Sequence, residues 1–124
     1  MENKLNEHNK AEYPPMHTAE FDISQISDDA FVVIIDEDIY SKKELLDILN
    51  ERMKFPPYFG FNWDALHDLL SDFYWVKSFD IFLIHKGKIN LPDNDFRIYM
   101  ELLQDALILW NNDKEHKFHV HFEL

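Results

Sequence analysis

Residues 31–35 read Phe31-Val32-Val33-Ile34-Ile35, five apolar side chains in a row, four of them β-branched. The run is too short for a stable helix. It is also too uniformly apolar for a strand with one wet face. It therefore reads as a buried strand, central in its sheet and paired in parallel. Two further segments match it. Phe79 to Ile84 is a second strand, and Lys117 to Leu124 alternates, with Phe118, Val120 and Phe122 on one side, as a third.

Helices fill the gaps. Ser41, with Glu44 three residues on, forms a capping box. The helix it opens has Leu45, Leu46, Ile48, Leu49 and Met53 on its apolar side, and Pro56-Pro57 ends it. Asn62 caps a second helix from about Trp63 to Phe73, with Leu66, Leu69 and Leu70 turned inward. A loop from His85 to Asn94 leads to a long helix ending near Trp110. Phe96, Tyr99, Leu102, Leu103, Ala106 and Trp110 give it a core-facing side. The order is strand, helix, helix, strand, helix, strand. Helices between strands imply crossover connections and an α/β fold with a parallel sheet.

The chain has 124 residues, enough for one domain, with 46% hydrophobic and 15% aromatic residues, enough for a core. Residues 1–29 differ in character, with seven acids against two lysines and a Pro14-Pro15 pair. They read as an acidic N-terminal extension, partly mobile, ahead of a domain over residues 30–124. Within the extension, Phe21 and Ile23 alternate with polar neighbours as a short edge strand would.

The net charge is −12, which argues against direct nucleic-acid binding and against an anionic membrane surface. A basic partner fits it. With no cysteine, disulfide scaffolds, thiolate zinc sites and cysteine nucleophiles are excluded. The first ten residues, MENKLNEHNK, lack the apolar stretch of a secretory signal, and no run is long enough to span a membrane. The expected location is cytoplasmic.

The second helix carries the feature that needs an explanation. Asp64, Asp68 and Asp72 recur every fourth residue and stack on one helix face. Like charges at that spacing cost about 0.2–0.5 kcal/mol per pair. The dipole favours only Asp64, in the first turn. No Lys or Arg lies three or four residues from Asp64 or Asp68 within the helix. A solvated acidic face explains the pattern blandly; a face awaiting a cation explains it sharply. Tyr58, Phe59, Phe61 and Trp63 lead directly into this helix, too many aromatics for one short loop to bury. At least two belong against the sheet edge, and exposed ones beside charges look like binding anchors.

The stretch Phe55-Pro-Pro-Tyr-Phe-Gly-Phe-Asn-Trp-Asp-Ala-Leu-His-Asp-Leu-Leu70 resembles the signature of barstar-type ribonuclease inhibitors. That pattern is a Pro, two aromatics, Gly, Asn, Asp-Ala-Leu, an aromatic and Asp. It is met by Pro56 or Pro57, Tyr58-Phe59, Gly60, Asn62, Asp64-Ala65-Leu66 and Asp68. The resemblance implies a small three-stranded parallel sheet packed against helices. It implies an immunity protein that plugs a ribonuclease toxin inside the producing cell, without a cofactor. Tyr58 would stack near the enzyme's active-site His, with the backbone at Gly60 against its surface and Asn62 at the loop–helix junction. Asp64 would pair with an enzyme Arg, and Asp68 would enter the phosphate site. Asp105, on the last helix, matches a further family acid. His67 departs from the pattern's aromatic, which is Trp in the family's reference inhibitor. Asp72 joins the candidate surface from spacing alone. The alternative is an acidic module that imitates nucleic acid for another basic protein.

Two other constellations stand apart. His119 and His121 share a strand face close to His116, as zinc or copper ligands can, but a half-exposed strand face accounts for them equally. Asp36 and Glu37 follow the first strand, where a magnesium phosphohydrolase places carboxylates. Yet no Gly-rich phosphate loop exists, and the chain has only two glycines. Neither a metal site nor an enzyme is expected. Glu51-Arg52 reads as solvated helix surface.

Overall fold

The computed structural model describes residues 23–123. Its strands are β1 (Phe31–Ile35), β2 (Asp80–His85) and β3 (Lys117–Phe122), and its helices are α1 (Lys42–Met53), α2 (Trp63–Leu70) and α3 (Asp93–Trp110). The sheet is wholly parallel, in the order β1-β2-β3. This is the α/β fold that the element order implied. One detail is corrected: β2 is central, and β1 lies at an edge. A run of β-branched residues fits an edge position because one face of β1, with Val33 and Ile35, enters the core while Val32 and Ile34 are half-buried. Nor does Ile23 begin a strand. Ile23–Gln25 is a single 3₁₀ turn, and Phe21 lies outside the described residues.

Local signals set the helix ends. Ser41 Oγ accepts the Glu44 backbone N–H at 3.1 Å. The Glu44 carboxylate reaches back to the N–H of Tyr40 at 2.8 Å, one residue earlier than the usual capping box. At the other end of α1, Lys54 takes a left-handed conformation with φ 56°, so the helix stops before the two prolines.

The registered strands put Val33, Leu83 and Val120 side by side, with Ile81 beside Phe118. These residues, Leu45, Leu49 and Met53 of α1, Leu66 and Leu70 of α2, and Tyr99, Leu103 and Ala106 of α3 form one buried cluster. Trp110, read as core from its spacing, is buried as well, and its Nε1–H donates to the Leu70 carbonyl at 2.8 Å. Phe96, read with it, is instead exposed. Among the described residues no helix is long and apolar enough to cross a membrane.

Arg52 is not solvated surface. Its guanidinium donates to the Ile34 carbonyl at 2.7 Å, to Asp36 at 3.2 Å and to Glu37 at 3.3 Å. The two acids after β1 thus tie α1 to the sheet. Beside them Gly87 has no room for a side chain, since a Cβ there would lie 2.1 Å from the Glu37 carbonyl oxygen. That close approach seats the loop after β2 on the loop after β1, where Ile39 and Ile89 form a single parallel bridge.

His85, His116 and His119 have structural partners. His119 stacks on Phe82, ring centroids 4.1 Å apart, and contacts Asp80 at 2.9 Å. His116 contacts the Ser78 carbonyl at 2.9 Å. His85, read as the start of a loop, completes β2 and is fully buried. Its Nδ1 lies 3.0 Å from the His121 carbonyl oxygen, which only accepts, so Nδ1 carries the proton and donates. Nε2 then accepts from the Tyr99 hydroxyl at 2.7 Å.

Burial pushes the His85 imidazole down to about 4. Below the ordinary histidine value of about 6.5 the unfolded chain takes up this proton and the folded chain does not. Stability is therefore expected to fall as pH drops from about 6.5 to 4, by an amount on the order of 3 kcal/mol from this group. Imidazole resonances followed by NMR during acid titration should show His85 protonating near the lower limit. Titration near the ordinary value would contradict the assignment.

Candidate functional site

The loop between α1 and α2 is held from beneath. Phe55 and Phe59 are buried with ring centroids 4.8 Å apart, and Phe55 meets the edge of Trp75 at 5.6 Å. The Trp75 Nε1–H donates to the Met53 carbonyl at 2.9 Å. With Phe59 turned inward, Tyr58 is turned out and is 67% exposed. Of the four aromatics, Phe59 belongs to the core, and Trp63 is half-buried, stacked on Tyr99 at 6.3 Å. Tyr58 and Phe61 are exposed.

Gly60 serves a spatial purpose rather than a conformational one. The left-handed residue here is Phe61, with φ 53°. A Cβ on Gly60 would lie 3.1 Å from Asn62 Nδ2, tight against the side chain that starts the next helix. Asn62 Oδ1 accepts the Ala65 N–H at 2.7 Å, as an N-cap should, while its Nδ2 donates to the Gly60 carbonyl at 3.3 Å. One side chain thus fastens the loop to the helix.

Leu66, Leu69 and Leu70 are all buried, so α2 has one orientation, with Asp64, His67 and Asp68 outside. The helix is shorter than its acidic spacing suggested. It ends at Leu70, and Asp72 lies in the turn beyond, not on the helix face. The cause is Phe73. Its ring is fully buried against Phe118 at 5.2 Å and Trp110 at 5.7 Å, and its backbone takes φ 52° to get there. The Ser71 hydroxyl donates to the His67 carbonyl at 2.7 Å and helps close the last turn.

Asp72 nevertheless remains beside Asp68. Both line a broad surface hollow of about 930 Å³ together with His67, Tyr74, Lys77 and Glu115. Both also line a smaller hollow of about 430 Å³ with Tyr58, Phe59 and Gly60. The two carboxylates therefore stand where two concavities meet. Asp64 is exposed one helical turn earlier and lines neither. Asp105 of α3 stands across from α2, its carboxylate 3.6 Å from His67 Nε2.

Tyr74 was not singled out in the sequence. It is 57% exposed, and its hydroxyl lies 3.0 Å from that of Tyr58, so the two phenols link the two hollows that Asp68 and Asp72 line. This hydrogen bond, with Asp72 nearby, pushes the Tyr58 phenol up to about 12. The aromatic triplet Phe73-Tyr74-Trp75 was the available signal. Reading the helix through Phe73 hid the turn that sends its three rings in different directions. Lys77 also lines the larger hollow, and it too follows that turn.

The sequence profile of the barstar (barnase inhibitor) family matches residues 30–123. The chain therefore belongs to the barstar family, which are inhibitors of barnase-like ribonucleases rather than enzymes and bind basic ribonucleases such as barnase. No curated protein sequence matches the chain.

Because Asn62 joins cap and loop, Asn62→Ala is expected to lower stability by about 1 kcal/mol. Denaturant unfolding measures the loss. Amide exchange should increase from Gly60 to Ala65 and not in the strands; an unchanged midpoint would contradict the capping role.

Proposed function

We propose that this chain is an immunity protein that blocks the cationic active site of a ribonuclease toxin with the surface around Asp68. The observation that supports this most is the pair Asp68 and Asp72, exposed at the meeting of two hollows and flanked by the Tyr58–Tyr74 bridge. A ribonuclease site is built from cations that hold phosphate. Asp64 and Asp68, about 6 Å apart on successive turns of α2, present charge on a similar scale, and Asp72 adds a third carboxylate from the turn beyond. In this reading Asp68 occupies the phosphate site and Asp72 lies beside it. Asp64 pairs with an Arg at the rim, and Tyr58 packs its exposed ring against the enzyme's catalytic His.

Gly60 and Asn62 act through shape, by holding the loop low enough for the enzyme to approach. His67 and Asp105 extend the surface toward α3, with the Asp105 carboxylate 3.6 Å from His67 Nε2. The remaining acids contribute to a long-range negative field that speeds encounter with a basic partner and weakens with salt. Toxin and inhibitor would meet in the cytoplasm of the producing cell, before the toxin leaves.

Asp68→Ala is expected to weaken inhibition of a barnase-like ribonuclease more than about tenfold, at least ~1.4 kcal/mol. The check is the inhibition constant at fixed ionic strength. An unchanged constant would contradict the placement of Asp68 in the phosphate site.

A further inference from the structure

Tyr58 is an exposed ring on the proposed interface, yet its own loop does little to hold it. Pro56-Pro57 precedes it, and the Phe59 N–H donates to the Pro56 carbonyl at 3.1 Å. These features shape the backbone and set where the side chain leaves it, but not how the ring turns. Phe55, Phe59 and Phe61 pack ring on ring, and Tyr58 stands outside that set. Among the described residues, the partner of its hydroxyl is Tyr74, 16 residues further along the chain.

Tyr74 is the better anchored of the two. Its ring meets that of Trp75 edge-on, with centroids 5.7 Å apart and planes at 78°. Trp75 is tied in turn. Its Nε1–H donates to the Met53 carbonyl, and its ring lies against Phe55 at 5.6 Å and Phe73 at 5.8 Å. Phe73 is fully buried. The Tyr74 hydroxyl thus hangs from a chain of contacts that ends in the core. Tyr58 borders one hollow with Asp68 and Asp72, and Tyr74 borders the other with the same two acids.

We propose that Tyr74 is a positioning residue, whose hydroxyl holds the Tyr58 side chain in its outward pose before a ribonuclease arrives. This role rests on the function proposed above and says how the chain prepares that surface. An exposed side chain that is free to turn must be immobilised on binding, and that ordering weakens the complex. A ring already held loses less. A tyrosine has few rotatable bonds, so one hydrogen bond at its tip restrains it well. The bond is open to water, so it adds little to the stability of the fold while still biasing the pose of the ring. The same bond is the main reason that the Tyr58 phenol holds its proton up to about 12.

Tyr74→Phe removes the hydroxyl and keeps the ring that meets Trp75. In the full chain, the Tyr58 ring resonances followed by NMR should stay mostly those of the neutral phenol to about pH 11. In Tyr74→Phe they should titrate near the ordinary value of about 10, and the melting temperature should barely move. Inhibition of a barnase-like ribonuclease by this variant should weaken about two- to tenfold. In a Tyr58→Ala background the same substitution should cost nothing, since no ring is left to position. An equal loss in both backgrounds would mean that Tyr74 meets the enzyme itself and would overturn the proposal. An unchanged inhibition constant for Tyr74→Phe, or ordinary titration of Tyr58 in the full chain, would overturn it too. Those results leave the proposed function standing, whereas failure of the full chain to inhibit would remove both.

Discussion

Leu66, Leu69 and Leu70 leave the short second helix only one way to lie. Each is nearly or fully buried, and together they fix the rotation of α2 against the core. Everything outside follows from that rotation. Asp64, His67 and Asp68 must face water, and the Asn62 cap must meet the loop that brings Tyr58 alongside. Burial of an average leucine is worth about 1.5–3 kcal/mol. Carboxylate repulsion along a helix costs a few tenths of that scale. The core can therefore hold like charges together with no cation beside them in the helix.

Phe73 acts as a second pin. Its buried ring forces a left-handed backbone, which ends α2 and starts a turn. That turn keeps Asp72 near Asp68 and delivers Tyr74 to Tyr58. A longer helix would have carried the aromatic cluster and the hollow elsewhere. The surface is thus concave because its helix is short. In the proposed reading, acidic side chains on this shaped, partly aromatic surface suit a cationic site.

Much of this was legible in the chain. The three strands, the three helices, the Ser41 and Asn62 caps and the inward leucines all rest on local signals that the structure keeps. The errors share one cause. β1 reads as central because its apolar run carries no alternation, but strand order depends on which partners the crossovers bring together. Asp72 keeps helical spacing in the sequence, yet burial of Phe73 overrides helix propensity two residues beyond Leu70. Arg52 reads as surface because its acceptors, Ile34, Asp36 and Glu37, lie at least 15 residues away in the chain. Tyr74 lies in a turn, where no periodicity marks it.

The most direct test of this account is titration of a barnase-like ribonuclease with the full chain while RNA cleavage is followed. Activity is predicted to fall linearly and to reach baseline at one equivalent. Full activity at a large excess of the chain would contradict it.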